Sequence, residues 1–210
     1  MARKASKNIL LVEGKDDEHV FYHLLTYHKI PERFRIKDKN GISNLLETLE
    51  VELQGSGLER LGIVVDADSN LAARWQSLRD ILSPLGYQVP DTPNKHGTII
   101  EQKDCPVVGI WLMPNNTLPG MLEDFMGYLV PSEDALWKRA VDSVQHIPEE
   151  ERRFLPAHQS KANIHTWLAW QDDPGTPLGL SITKRYLDAD VPLVHQLMNW
   201  IRRLFDLHET

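Results

Sequence analysis

Short apolar runs alternate with helical patterns through the first half of the chain. The predicted strands are 8–12, 34–37, 61–65, 98–101 and 107–112. The predicted helices are 16–29, 43–53 and 72–85. Strands separated by helices favour a mostly parallel sheet with right-handed crossovers and helices on its faces. The chain is therefore predicted to be an α/β protein, with the carboxyl ends of its strands at one edge of the sheet.

After Pro119 the pattern changes to helices alone. The predicted helices are 121–129, 133–144, 163–171 and 192–205. No strand pattern follows residue 113. We therefore predict an α/β core over residues 1–130 and a helical extension over residues 131–210. The extension is expected to pack on the core, so that the two parts form one structural unit.

Composition excludes several classes of protein. The 210-residue chain has a single cysteine, Cys105, so an internal disulfide is impossible. Its first apolar run is too short for a signal peptide, and no run approaches the roughly 20 apolar residues of a membrane span. We expect a cytoplasmic protein. The net charge of −7 argues against tight, nonspecific coating of nucleic acid, but not against a nuclease with an acidic active site.

Two aspartates end the strongest predicted strand, in the sequence LGIVVDADSN. Side chains alternate along a strand, so Asp66 and Asp68 would share one side if the extended conformation persists. Two like charges about 4 Å apart repel by roughly 4 kcal/mol at an effective dielectric constant of about 20. A bound cation would relieve this repulsion. The alternative is turn and helix-cap chemistry, for which Asp, Ser and Asn are equally suited.

Other acids follow predicted strands in the same way. Glu13 ends a strand in LVEGKDD, and Glu123 and Asp124 begin a helix in PGMLEDF after the strand at 107–112. Ligands of open parallel sheets bind at the carboxyl ends of the strands. Because the ligands would be carboxylate oxygens, the sequence favours a Mg²⁺ or Mn²⁺ site.

These motifs resemble those of the Toprim domain, the catalytic module of topoisomerases, primases and related nucleases. The resemblance rests on the Glu-Gly of LLVEGKDD and the Asp-x-Asp of VVDAD. A closer likeness, over nearly the whole chain, is to small stand-alone bacterial Toprim-like proteins of an uncharacterised family. The stretches VEGKDDEHV, GIVVDAD, GIWLMPNN, LEDF and HTWLAWQDDPGTPLG are typical of that family.

The resemblance implies roles for particular residues. Glu13 would act as an acid/base or a metal ligand, and Asp66 and Asp68 would hold Mg²⁺. Nucleases related to the overcoming-lysogenization-defect proteins add further acids, which Asp17 and Glu123 match in pattern. Their neighbours Asp16 and Asp124 are alternative ligands, and Lys161 is the candidate for neutralising charge in the transition state. The substrate-binding candidates are Lys15, Asn115 and Asn116; for the two asparagines the alternative is turn chemistry.

The function implied is that of a Mg²⁺- or Mn²⁺-dependent nuclease acting on nucleic acid, with DNA the expected substrate. Such an enzyme would serve phage defence or DNA repair, beside a partner ATPase, and a homo-oligomer is compatible with this role. Leu71 stands where topoisomerases and primases usually carry glycine, and one cysteine cannot build a zinc ribbon, so neither activity is expected. Two alternatives stay open: a non-catalytic interaction subunit and a metal-dependent phosphatase acting on nucleotides.

Overall fold

A five-stranded sheet forms the centre of the protein in a computed structural model that describes residues 7–207. The strands are β1 (Asn8–Val12), β2 (Arg35–Asp38), β3 (Arg60–Asp66), β4 (Thr98–Ile100) and β5 (Val107–Met113). Their order across the sheet is β2-β1-β3-β5-β4, and only β4 runs antiparallel to its neighbour. The predicted mostly parallel sheet is therefore confirmed.

Helices cover both faces of this sheet. They are α1 (Lys15–Tyr27), α2 (Ile42–Leu53), α3 (Leu71–Leu82), α4 (Leu122–Gly127), α5 (Ala135–Gln145), α6 (Gln159–Ala169), α7 (Leu178–Thr183) and α8 (Pro192–Leu204). The α/β class and the helical character of the second half are confirmed. The sequence pattern did not predict α7, a six-residue helix whose Gly179 packs against the backbone of α1 at His19.

Each face of the sheet contributes to its own apolar core. In β1, Leu11 packs with α2 and α3 on one face, whereas Leu10 and Val12 join the core on the other. That second core includes apolar side chains of α1, α4, α6, α7 and α8. Since both faces are buried, the strands have the near-continuous apolar sequences expected of a parallel sheet.

A pair of glycines lets α8 approach the middle of the sheet. Gly62 in β3 is paired with Gly109 in β5. A Cβ atom at Gly109 would lie 2.5 Å from Leu204 of α8, and one at Gly62 would lie 3.0 Å from it. The side chain of Leu204 therefore fills space that larger residues on the strands would occupy. The C-terminal helix is thus part of the core that covers the sheet.

Across residues 7–207, no helix is both long enough and apolar enough to cross a bilayer.

Candidate functional site

A pocket of about 440 Å³ opens at the edge of the sheet where β1 and β3 end. Its polar lining includes most of the acids singled out in the sequence, together with both predicted lysines. The charged residues that line it are Glu13, Lys15, Asp16, Asp17, Asp66, Glu123 and Lys161. The topology brings these residues together because the carboxyl ends of neighbouring parallel strands meet at one edge of the sheet.

The first acids are placed by the sharp turn between β1 and α1. Glu13 directly follows β1, and Gly14 caps the amino end of α1. The backbone N–H of Gly14 donates a 3.1 Å hydrogen bond to Oδ2 of Asp17. This bond fixes the Asp17 side chain, which is only 8% exposed. Its other oxygen, Oδ1, has no hydrogen-bond partner among the described residues.

Asp66 connects three elements of the site. Its backbone N–H donates a 2.7 Å hydrogen bond to Oε1 of Glu13, which ties the end of β3 to the end of β1. Its side-chain Oδ1 accepts a 2.9 Å hydrogen bond from the backbone N–H of Leu122, at the start of α4. The carboxylates of Glu13 and Asp66 are therefore held in place by backbone donors.

Glu123 and Lys161 bring the second half of the chain into the pocket. Glu123 lies in the first turn of α4 and is 4% exposed. Nζ of Lys161, from α6, lies 2.8 Å from Oε1 of Glu123. The predicted catalytic lysine thus lies in the same pocket as the acids, although it is separated from Glu13 by almost 150 residues of sequence (161 − 13 = 148).

Burial and mutual repulsion disfavour the ionised form of carboxyl groups in the pocket. Burial, with the nearby charges of Glu13 and Glu123, raises the pKa of Asp17 from 3.8 to about 7. Burial and the charges of Glu13, Asp17 and Glu123 also raise the pKa of Asp66 well above its ordinary value. The pKa of Glu13 is raised mainly by burial, against the opposing hydrogen bond from Asp66. The surrounding protein groups therefore do not fully stabilise these carboxyl groups in their charged form.

Lys161 supplies part of the missing positive charge. Partial burial disfavours its ammonium form, but the hydrogen bond to Glu123 and the attraction of Glu123, Asp16 and Asp66 outweigh this effect. The pKa of Lys161 is consequently raised, and the side chain stays charged at neutral pH. With Lys15, two ammonium groups stand against five carboxyl groups in the lining, so the balance of charge in the pocket remains negative once the acids ionise.

The structure separates the two aspartates of VVDAD. The strand ends at Asp66, and Asp68 has a φ of 51°, outside the extended region. The alternation of a strand therefore stops before Asp68, whose exposed side chain forms an ion pair with Arg74 and does not line the pocket. A short antiparallel bridge between Asp68 and Gly120 holds this turn. Asp66 and Asp68 therefore do not lie on one side, as they would on an unbroken strand. Asp68 affects Glu13 through its negative charge, which raises the pKa of Glu13.

Asp124 also lies outside this pocket, in an adjoining depression. Its Oδ2 accepts a 2.8 Å hydrogen bond from the backbone N–H of Met121, and its Oδ1 accepts one from the hydroxyl of Ser160. Both oxygens are therefore already used, to cap α4 and to connect it to α6. The geometry favours Glu123 over Asp124 as the acid that faces Glu13 and Asp66.

The remaining candidates take up different positions. Lys15 lines the pocket, with its Nζ 2.7 Å from Glu18 and 3.3 Å from Asp38. Asn116 is buried, and its Oδ1 accepts a hydrogen bond from the backbone N–H of Leu112. Oδ1 of Asn115 accepts hydrogen bonds from the backbone N–H groups of Thr117 and Leu118, as in an Asx turn. Neither asparagine lines the carboxylate pocket.

Sequence reasoning missed two residues of the pocket, Asn40 and Gly41. Both have positive φ angles, 55° and 109°, and Gly41 precedes α2. The backbone N–H of Gly41 donates a 2.7 Å hydrogen bond to the carbonyl oxygen of Glu13. An Asn-Gly pair shortly after a predicted strand is a recognised turn signal, so the sequence did contain a clue to this part of the rim.

The donor chemistry of the pocket suits a hard divalent cation. The converging side chains are carboxylates, and the buried Oδ1 of Asp17 lacks a partner among the described residues. The ligand geometry is not preformed, because no three His, Cys, Asp or Glu side chains between residues 7 and 207 are arranged to hold one ion. Backbone donors and Lys161 already engage oxygens of Glu13, Asp17, Asp66 and Glu123. Binding would therefore require these side chains to rotate.

Comparisons with known proteins place the chain in a family. Two solved structures of the C-terminal region of the Xanthomonas campestris pv. campestris OLD protein each cover 98% of this chain and 98% of their own. The one phased with mercury has 15% identity and a TM-score of 0.45, and the one phased with iodine has 16% and 0.43. Likeness of this degree supports no conclusion about function. No curated protein matches the chain. A family described as "Protein of unknown function (DUF3226)" matches residues 7–206, so the chain belongs to the DUF3226 family.

Proposed function

We propose that this protein is a divalent-cation-dependent nuclease whose active site is the carboxylate pocket. The observation that carries the proposal is the convergence of Glu13, Asp17, Asp66 and Glu123, with raised pKa values at the first three, around one lysine. Perturbed carboxyl groups in a cleft are frequent at functional sites. The motifs VEGKDD and VVDAD, which resemble those of Toprim enzymes, support phosphodiester cleavage as the reaction.

The four carboxylates would hold Mg²⁺ or Mn²⁺, which would polarise the phosphoryl group and lower the pKa of bound water. Glu13 is the acid placed to accept or return a proton, because its pKa is raised and its carboxylate is held by Asp66. Asp17 ionises only near neutral pH, so its affinity for a cation rises as the pH passes through about 7. Lys161 would neutralise charge that develops on the phosphoryl oxygens.

Groups on the rim of the pocket would position the substrate. Lys15 offers an exposed ammonium group at the amino end of α1. Gly41, which lines the pocket, precedes α2 and offers no side-chain cap, so the amino end of α2 lies at the same opening. Helix amino ends favour negatively charged groups such as phosphate. Asn115 and Asn116 lie away from this rim, and we do not include them in the proposed binding site.

The biological setting follows from the proposed reaction. We propose DNA as the substrate and a role in phage defence or DNA repair. The sequence lacks a GxxxxGKS phosphate-binding loop, so a requirement for ATP would have to be met by a partner ATPase.

The test is a cleavage assay with and without metal. Plasmid DNA, single-stranded DNA and RNA would be incubated with Mg²⁺, Mn²⁺ or EDTA and the wild-type protein. We expect metal-dependent cleavage, lost in Asp66→Asn and in Glu13→Gln. Asp68→Asn is the matched comparison, because Asp68 faces Arg74 outside the pocket, and it should retain most of the activity. Cleavage by Asp66→Asn at the wild-type rate, with an unchanged melting temperature, would refute the assignment.

A non-catalytic interaction subunit is the second candidate. The observations that favour it are the ion pair between Lys161 and Glu123, which partly neutralises the pocket without a metal, and the lack of a preformed ligand trio among residues 7–207. This alternative predicts that neither Mg²⁺ nor Mn²⁺ binds to the protein and that every nucleic acid stays intact. Calorimetric titration with each metal separates the two candidates.

A further inference from the structure

We infer that a groove beside α8 binds a single strand of nucleic acid and leads it to the carboxylate pocket. This inference rests on the proposed nuclease function and names the form of the substrate. We call this feature the α8 groove and define it by the residues that the argument uses: Lys95, Leu118, Tyr128, Gln196, Arg202 and Arg203. In the proposed complex, bases contact Tyr128 and phosphates contact the three cationic side chains.

A row of adjoining depressions leads from the carboxylate pocket to the groove. Glu123 lines both the pocket and an adjoining depression of about 310 Å³. Tyr128 lines that depression and the next one, which measures about 690 Å³. Gln196 in turn lines the second of these and a last depression of about 350 Å³. Each depression therefore shares a lining residue with its neighbour. The series of depressions leads from the acids to α8.

The antiparallel strand β4 explains why basic residues lie on this path. Because β4 runs against β5, its first residue, Thr98, pairs with Ile110 in the middle of β5, and the residues before Thr98 continue toward the carboxyl end of β5. Lys95 and His96 precede Thr98 and are therefore carried to the edge of the sheet that holds the carboxylate pocket. A parallel strand in this position would place its preceding residues at the opposite edge.

One face of α8 forms the wall of the groove. Four residues of α8 that line one or both of the two outer depressions follow one another at intervals of four, three and four residues. They are Pro192, Gln196, Asn199 and Arg203. Residues at this spacing share one side of a helix. From the first to the last they span about 16 Å at 1.5 Å per residue. The wall is therefore long enough to contact several successive nucleotides.

The charge of this wall is opposite to that of the whole chain. Lys95, Arg202 and Arg203 line the two outer depressions, and no Asp or Glu within residues 7–207 does so. Lys95 and Arg203 are exposed and have no ion-pair partner within the same span. Arg202 donates only to neutral oxygens, of Asn199 and His28. On a chain of net charge −7, a groove lined by these cations and by no acid is complementary to a phosphate backbone.

Exposed apolar groups favour a single strand over a duplex. Tyr128 is 49% exposed and lies where two depressions meet, and Leu118, nearby, is 47% exposed. In a duplex the faces of the bases are already stacked on one another, whereas a single strand presents them to aromatic side chains. Trp137 lines the depression closest to the acids, where its ring packs edge-on against Trp167. An exposed tyrosine followed by cations is the combination that single-strand binding requires.

Fluorescence anisotropy with labelled oligonucleotides tests this inference without requiring cleavage. The full chain would be titrated into single-stranded DNA, single-stranded RNA and duplex DNA, in EDTA, at several salt concentrations. We expect tighter binding to single strands, and a loss of roughly 5- to 150-fold in Tyr128→Ala, as for the removal of one stacked base contact. The double variant Lys95→Ala/Arg203→Ala should reduce the slope of log K against log salt by about 1.4, which corresponds to two phosphate contacts.

Matched controls come from exposed residues outside the groove. Tyr22→Ala removes another exposed tyrosine, and Lys103→Ala/Arg153→Ala removes two exposed cations. Both should bind as the wild type does. Affinity unchanged in Tyr128→Ala and in the double variant, with normal melting curves, would overturn the inference, as would preference for duplex DNA or for an acidic peptide.

The failure of this inference is distinguishable from failure of the proposed function. If cleavage depends on metal but the groove variants bind nucleic acid as the wild type does, the nuclease assignment is supported and the proposed role of the α8 groove is refuted. Single-strand binding that depends on Tyr128, without cleavage under any metal, would support the groove and refute the nuclease.

Discussion

Replacing Asp17 with asparagine should stabilise the protein, and increasingly so as the pH rises. The side chain is buried, and its pKa is raised from 3.8 to about 7. The folded protein therefore keeps this proton up to about pH 7, whereas the unfolded chain releases it near pH 3.8. Between these values the unfolded state binds fewer protons, so this group lowers the free energy of unfolding as the pH rises. Three pKa units correspond to about 4 kcal/mol.

Asparagine has a similar shape but does not ionise, and its side-chain oxygen can still accept the hydrogen bond from Gly14. The difference in stability between Asp17→Asn and the wild type should therefore grow by about 3 kcal/mol between pH 5 and pH 8. In a chain of this length, 1 kcal/mol shifts the melting temperature by about 2–4 °C. Raising the pH from 5 to 8 should therefore increase the difference in melting temperature between Asp17→Asn and the wild type by about 6–12 °C.

Differential scanning fluorimetry in EDTA at a series of pH values measures this gain. Asp16→Asn is the matched control, because Asp16 is the exposed neighbour at the same pocket and its replacement should leave the pH profile parallel to that of the wild type. Chemical denaturation at pH 5 and pH 8 would convert the temperatures into free energies. Parallel profiles for Asp17→Asn and the wild type would refute the argument that a buried, repelled carboxylate destabilises the fold above neutral pH.

Three further predictions concern the pocket and the sheet. Calorimetry should detect Mg²⁺ or Mn²⁺ binding to the wild type that is lost in Asp66→Asn; equal binding by both proteins would place the ion elsewhere. Lys161→Ala should lower the cleavage rate by about 10²- to 10³-fold while metal binding, measured by the same calorimetry, is retained; an unchanged rate would remove the lysine from the mechanism. Gly109→Ala should lower the free energy of unfolding by about 1–3 kcal/mol in urea denaturation, because its Cβ would lie 2.5 Å from Leu204. Gly127→Ala, whose Cβ would have no neighbour closer than 3.5 Å, should cost much less.

The sequence predicted the sheet and its acidic edge because both depend on local patterns. Runs such as 61–65 are apolar throughout, which a sheet buried on both faces requires, and the acids follow directly where the strands end. The parallel topology therefore places four acids in one pocket: Glu13, Asp17, Asp66 and Glu123. The same patterns predicted most of the helices, including α8, whose apolar residues recur at helical spacing.

What the sequence could not predict depends on single backbone angles and on distant contacts. Asp68 leaves the pocket because its φ is 51°, and an Asp-x-Asp pattern does not reveal where a strand stops. The resemblance indicated Lys161, but only the packing of α6 against α4 explains how the lysine reaches Glu123. The short helix α7 has its buried side against α1, a contact that no local periodicity encodes.

The glycine pair of the sheet has a consequence for the order in which the protein can form during synthesis. The five strands belong to the first 113 residues, but the side chain that fills the space over Gly62 and Gly109 is Leu204. A ribosome releases the chain from its amino end, so the sheet emerges long before α8 is available to cover it. Until residue 204 has been made, the part of the nascent sheet around Gly62 and Gly109 stays apolar and open, and a chaperone that recognises apolar surface would find its binding site there.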